Sequence, residues 1–169
     1  MNNQINKRTL AGIRLAAFDI DGVFTDGRFY LSNDGVESKA FSTQDGYGIR
    51  RLLDAGVSVA VISGRQSQAV DQRMQELGVP FIVQGCSDKI AAFDRITAEL
   101  QITDAESVFV GDDLPDLPLM RKVGFSVAVK NAVATLHEQC DYVTDAPGGL
   151  GAVREVCDLL LSAHVRDVR

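Results

Sequence analysis

Residues 15–23, Leu-Ala-Ala-Phe-Asp-Ile-Asp-Gly-Val, pass from an apolar run straight into two carboxylates and a glycine. A short apolar run closed by polar residues reads as a strand buried on both faces. It predicts a strand over 15–20 with charge at its end. The same pattern returns at 57–63 (Val-Ser-Val-Ala-Val-Ile-Ser), 80–83, 107–110 and 125–129, with a sixth short run at 142–144. Between these runs lie helical patterns at 46–55, 66–77, 88–100, 116–123 and 150–164. Gly56, Gly78 and Gly124 stand where three of them stop, and Ser87 stands where another begins. Strands alternating with helices of this length pair in parallel through right-handed crossovers. The expected fold is α/β, a doubly wound, mostly parallel sheet. One stretch breaks the alternation: residues 28–41 read as two strands around Ser32-Asn33-Asp34-Gly35, a hairpin signal.

The 169 residues suit a single domain over 1–169, with 1–14 as an N-terminal lead-in whose first residues are polar. No run of about 18 apolar residues exists, and no signal-peptide pattern opens the chain. Cys86, Cys140 and Cys157 are odd in number and widely spaced, which favours buried thiols in a reducing compartment over disulfides or zinc. His137 and His164 fall in late helical segments, a poor position for a catalytic pair. A net charge of −6 argues against nucleic acid as a partner. If the ligand is anionic, a few cations must be placed locally against that field.

In a doubly wound sheet, ligands bind beyond the carboxyl ends of the strands. Asp19 and Asp21, Ser63, and Asp112 and Asp113 all fall at such ends. Two carboxylates two residues apart share a side of a strand, repel, and both ionise only with a cation nearby. Magnesium, a hard ion with oxygen ligands, pairs one or two carboxylates with substrate phosphate. Ser63 can donate a hydrogen bond, Lys89 can supply a compact positive charge, and Gly111-Asp112-Asp113 adds carboxylates for a metal. These are the parts of phosphoryl transfer, which is mostly positioning and charge neutralisation. In that chemistry Asp19 is the nucleophile that takes up phosphate. Asp21 is the acid for the leaving alcohol and then the base for water. Taken singly, each motif has a plainer reading: a surface Asp pair, a turn, a solvated lysine, a helix-start cluster. Their order along the chain, each at a strand end, is what selects the catalytic one.

In that order, Asp19-Ile20-Asp21-Gly22-Val23, Ile62-Ser63-Gly64, Lys89 and Gly111-Asp112-Asp113-Leu114-Pro115-Asp116 resemble the four motifs of the haloacid dehalogenase superfamily. The likeness covers nearly all the chain after Arg14. It implies a Rossmann-like sheet, Asp19 as nucleophile, Asp21 as acid and base, and Ser63 and Lys89 as phosphate binders. It also implies Mg2+ held by Asp19, the backbone carbonyl of Asp21, and Asp112, with Asp113 and Asp116 in support. Pro115 and Pro118 are less usual for the fourth motif. A narrower likeness rests on 21–27, 41–49, 62–65 and 84–89. It is to phosphatases of an eight-carbon sugar acid phosphate, which supply lipopolysaccharide synthesis in the cytoplasm of Gram-negative bacteria. That likeness implies substrate contacts from Asp21, Ser42, Thr43, Gln44, Asp45, Gly46, Arg50, Arg65, Arg73 and Lys89. The spacings from Asp21 to Ser63 and from Ser63 to Lys89 leave no room for a cap domain. Enclosure then falls to neighbouring copies, and the likeness implies a homotetramer joined through the 28–41 hairpin. A hairpin lying on its own subunit is the alternative. Arg154, after a glycine-rich stretch, either reaches a site or simply begins a docking helix. Two further readings stay open: a phosphatase of a nine-carbon sugar acid phosphate, and a receiver-like domain that only accepts phosphate on Asp.

Overall fold

The computed structural model describes residues 7–164. In chain order these form α1 (Lys7–Ala11), β1 (Leu15–Phe18), β2 (Tyr30–Leu31), β3 (Glu37–Ser38), α2 (Thr43–Asp54), β4 (Ser58–Ile62) and α3 (Gln68–Leu77). Then follow β5 (Phe81–Val83), α4 (Lys89–Leu100), β6 (Ser107–Gly111), α5 (Leu117–Met120), β7 (Phe125–Ala128), α6 (Ala134–Gln139), β8 (Tyr142–Val143) and α7 (Ala152–His164). Single turns of 3-10 helix precede β6 and α5.

Six strands make one parallel sheet in the order β5-β4-β1-β6-β7-β8. The chain winds outward from β1 through β4 to β5, then returns to the other side of β1 for β6, β7 and β8. The strand order therefore reverses beside β1, and the crevice for a ligand opens there. Every residue of β1, β6 and β7 is buried, so helices cover both faces. One group packs α1, α2 and α7 together; another packs α4 with α5. No helix among the described residues is long and apolar enough to cross a membrane. Neither the segment from Asp21 to Ser63 nor that from Ser63 to Lys89 holds a folded insertion beyond the hairpin.

The structure corrects several element boundaries. The strand expected over 15–20 ends at Phe18, because the Ile20 carbonyl turns to accept the N–H groups of Val23, Phe24 and Thr25. The helix expected from Gly46 begins at Thr43, where Ser42 caps it by accepting the Asp45 N–H. Gly46 and Gly48 lower helix propensity by about 1 kcal/mol each. Both are buried, however: a Cβ at Gly46 would displace the end of Arg73, and one at Gly48 would crowd Arg154 and Cys157. Asp88 rather than Ser87 caps α4. The helix expected over 116–123 shrinks to one turn, with Pro115 and Pro118 in first-turn positions where no backbone N–H is needed. The hairpin strands contract to two residues each, paired antiparallel. Of the lead-in expected over 1–14, residues 1–6 lie outside the described residues. The rest carries α1, and Leu10 and Ile13 are buried.

Helix α7 buries Val153, Val156, Cys157, Leu160 and Leu161 at helical spacing, and its main partner is α2. Leu160 is fully buried. Leu160→Ala is expected to cost about 2–5 kcal/mol through lost burial and a cavity. A urea titration checks this: the midpoint falls while the slope stays that of the parent.

Candidate active site

The end of β1 is where the site begins. Asp19 still donates its N–H to the Val110 carbonyl of β6, so its backbone is fixed by the sheet although β1 has ended. The next residues turn sharply. Thr25, itself buried, accepts from the N–H groups of Gly22 and Gly27 at 3.3 and 3.2 Å. Phe24 packs edge-on against Phe18 beneath. Gly22 has φ of +86°, and a Cβ there would strike the Asp112 carboxylate. Glycine is thus required both by backbone conformation and by the approach of a functional group. From the far side, Gly148 closes on this turn so tightly that a Cβ would strike the Gly22 carbonyl. Asn131 holds it there by accepting the Gly148 N–H, and Gly149 donates to the Val23 carbonyl.

Three other strand and helix ends converge. Ser63 follows β4, is buried, and accepts the Arg65 N–H at 3.4 Å. Lys89 opens α4, with its Nζ 3.0 Å from Asp19 Oδ1 and 2.6 Å from Asp116 Oδ1. Asp112 and Asp113 follow β6. Asp116 lies beneath them: its Oδ2 accepts the N–H groups of Asp112 and Asp113, while Oδ1 takes Lys89. Asp19, Asp21, Ser63, Lys89, Asp112, Asp113, Asp116, Gly27, Gly64, Arg65 and Pro115 line one cavity of about 310 Å³.

Carboxylate oxygens of Asp19, Asp112 and Asp116 lie within 4.8 Å of one another. Burial first, and then the Asp116 carboxylate, push Asp19 up to about 6 against the pull of Lys89. Burial, then Asp19, Asp116 and Asp113, push Asp112 up to about 7. Burial pulls Lys89 down, but Asp19 and Asp116 outweigh it and raise its affinity for the proton. One ammonium therefore does not balance the carboxylates around it. Asp19 Oδ1 is buried, with Lys89 at ion-pair distance but no hydrogen bond of ordinary geometry. An all-oxygen cluster short of positive charge, with a buried oxygen lacking a hydrogen bond, fits a hard divalent ion such as Mg2+. Both oxygens of Asp116 are already engaged, which makes Asp116 a support for Asp112 and Lys89 rather than a free ligand.

The structure brings together Asp19, Asp21, Ser63, Arg65, Lys89 and Asp112. It separates the remaining sequence candidates. Ser42, Thr43 and Gln44 line a second cavity of about 510 Å³ with Asp26, Phe41 and Leu150; Asp26 precedes Gly27 of the first cavity's lining in the chain. Asp45, expected at the substrate, is turned inward at 1% exposure. Its Oδ1 accepts the Arg154 N–H at 2.8 Å, because the first turn of α7 needs an acceptor. Gly46 packs on Arg73. Arg73 pairs with the Glu76 carboxylate and Arg50 donates to the Glu76 carbonyl, both away from the cavity lining. Arg154 pairs with Asp158 on its own helix, as the docking alternative has it. His137 meets the Val129 carbonyl, His164 meets those of Leu160 and Ile13, and neither lines the cavity. The three cysteines are free.

Sequence reasoning missed the hairpin's part in the site. Lys39 pairs with Asp21 Oδ1, and Glu37 pairs with Arg65 at 2.8 Å. Phe29 lies under both cations, 4.2 Å from Arg65 Cζ and 5.7 Å from Lys39 Nζ. The available signal was Glu37 and Lys39, opposite charges at i and i+2 of a strand, hence on one side of it.

A family model for haloacid dehalogenase-like hydrolases matches residues 81–153. The chain is 50% identical over 152 residues to 3-deoxy-D-manno-octulosonate 8-phosphate phosphatase of Salmonella typhi, covering 90% of this chain and 81% of that protein. It superposes on the crystal structure of the Yersinia pestis phosphatase of that name with a TM-score of 0.93 and 45% identity, covering 95% of this chain and 86% of that one. The corresponding phosphatase of Moraxella catarrhalis, solved with magnesium, phosphate and a KDO molecule, gives a TM-score of 0.93 at 41% identity, covering 98% and 94%.

Asp116→Ala removes the acceptor for Lys89 and for two backbone N–H groups, and is expected to cost about 3 kcal/mol, as for a broken buried pair. Urea unfolding measures that cost. The rise in melting temperature on adding magnesium should shrink in the same variant.

Proposed function

The chain belongs to the haloacid dehalogenase superfamily, in its capless group, and from that premise we propose that it hydrolyses 3-deoxy-D-manno-octulosonate 8-phosphate to the free sugar acid and phosphate. The observation that carries this is the convergence of Asp19, Asp21, Ser63, Lys89 and Asp112 on one cavity, in a chain 50% identical to phosphatases of that substrate. Asp19, Asp112 and the carbonyl of Asp21 would hold Mg2+, which when bound neutralises phosphate charge and aligns the phosphoryl group with Asp19.

The residues divide the work. Asp19 Oδ attacks phosphorus and forms the aspartyl-phosphate as the bond to the sugar oxygen breaks. Its backbone, anchored to β6, limits how far it recoils. Asp21 gives a proton to the departing sugar oxygen. The same carboxylate then takes a proton from water, which attacks phosphorus, releases phosphate and restores Asp19. Ser63 donates its hydroxyl to a phosphoryl oxygen, and Lys89 sets its charge beside the oxygens that gather negative charge. The supply of an acid and base two residues from the nucleophile separates this reading from a slow phospho-accepting domain.

Arg65, on the rim of the cavity, takes the substrate's carboxylate end or its hydroxyls. The second cavity, lined by Ser42, Thr43 and Gln44, takes the sugar. The enzyme acts as a single domain in the cytoplasm, in the supply of an acidic sugar for lipopolysaccharide; three free cysteines accord with a reducing compartment. It works as a homotetramer, for which the support is the hairpin. Tyr30, Leu31 and Val36 are each more than 60% exposed on a strand pair too small to be stable alone.

The test is phosphate release from 3-deoxy-D-manno-octulosonate 8-phosphate beside a panel that includes a nine-carbon sugar acid 9-phosphate, with magnesium and with chelator. Metal-dependent preference for the first substrate is the expected result. Preference for the nine-carbon ester would replace the substrate, and no turnover of any ester would remove the phosphatase. Asp19→Asn should lower kcat by at least about 10⁴-fold with the fold intact. Asp21→Asn should lower it by about 10²–10⁴-fold.

A further inference from the structure

The hairpin is exposed along most of its length, yet one of its charged side chains is entirely covered. Lys39 has 0% side-chain exposure, whereas Tyr30, Leu31 and Val36 beside it are open to solvent. A covered ammonium is costly unless it is paired. Here the pairing is specific: Lys39 Nζ meets Asp21 Oδ1, with Glu37 Oε1 at 3.7 Å and the Phe29 ring on one side. Lys39 does not line the cavity that holds Asp19, Ser63 and Lys89; Asp21 does.

The two oxygens of Asp21 are treated differently. Oδ1 is taken by Lys39. Oδ2 has Arg65 Nε at 3.6 Å, beyond hydrogen-bond reach, and Arg65 spends its own hydrogen bond on Glu37. One oxygen is anchored and the other makes no hydrogen bond among the described residues. A carboxylate that must deliver a proton to one oxygen of a substrate gains from that arrangement, since a misplacement near 1 Å costs about 10²-fold in rate. Asp21 also sits in a turn rather than in the sheet, so its side chain needs an outside partner to hold one orientation.

We propose that Lys39 is a positioning residue for the reaction: from the hairpin it clamps Oδ1 of Asp21 and so presents Oδ2 to the leaving oxygen and to water. Glu37, Arg65 and Phe29 keep Lys39 in place, and Lys39 itself touches neither substrate nor metal. The inference rests on the reading of Asp21 as acid and base.

The test compares Lys39→Met, which keeps length and removes charge, with Lys39→Arg, each alone and combined with Asp21→Asn, in turnover of 3-deoxy-D-manno-octulosonate 8-phosphate. Lys39→Met is expected to lower kcat by about 10–100-fold with KM within about twofold, and with the melting temperature of the parent. Lys39→Arg should recover at least part of the loss. In the Asp21→Asn background the further loss from Lys39→Met should fall below about twofold, because residues acting as a unit are not additive. A rise in KM with kcat unchanged would make Lys39 a substrate ligand and overturn the proposal. So would an Arg variant as slow as the Met variant, or a kcat loss matched by a lowered melting temperature in both variants. If Asp21→Asn alone keeps the parent rate, the acid–base reading fails and this inference with it. If Asp21→Asn is slow and Lys39→Met still adds its full loss, only the role of Lys39 fails.

Discussion

One ammonium among too many carboxylates is the constraint on which the rest of this structure depends. Asp19, Asp112 and Asp116 crowd within 4.8 Å, Asp113 and Asp21 stand on the same cavity, and Lys89 is the cation at the centre. In water such a cluster would spread apart. Here Asp19 is tied by its N–H to β6 and Asp112 directly follows β6, so the repulsion is retained as raised proton affinity at Asp19 and Asp112. That retained repulsion attracts a divalent cation and then a phosphate brought in beside it.

The fold meets this demand by topology rather than by any single strong contact. Reversal of strand order beside β1 brings the ends of β1, β4 and β6 to one edge, and the start of α4 faces them. Buried backbone there would be left without partners, so the site's own side chains serve as caps. Asp116 accepts two N–H groups, Thr25 accepts two, and Asp88 closes the first turn of α4. Asp116, which lines the cavity, thus also satisfies backbone at the end of β6 that helps to form it.

Much of this was legible because polar residues at strand ends follow apolar runs in the chain itself. Asp19, Ser63 and Asp112 could be placed on one edge without knowing a single contact. Sequence failed where the deciding partner is remote. Asp45 looked like a loop carboxylate facing substrate, but α7, 109 positions later, claims it as a cap. Lys39 was not singled out within the hairpin over 28–41, and only the fold lays it against Asp21. Helix α6 lacks a side-chain cap and has a single buried residue, Leu136, so His137 could be placed in a helical segment but the bounds of that helix could not be drawn. The early end of β1 was hidden for another reason: an apolar isoleucine continues the strand pattern while its carbonyl has already turned to hold three N–H groups.

The docking of the last described helix bears on how the enzyme comes into being. Asp45, at the start of α2, is completed by Arg154, and the nucleophile's turn is braced by Gly148 and Gly149 just ahead of α7. The four motifs precede residues 148 and 149 in the chain, so the brace on the first motif is the last part of the site to be made. A chain carrying the four motifs but not residues 148–154 would lack the Gly149 hydrogen bond to Val23, the Gly148 contact at Gly22 and the Arg154 N–H on Asp45.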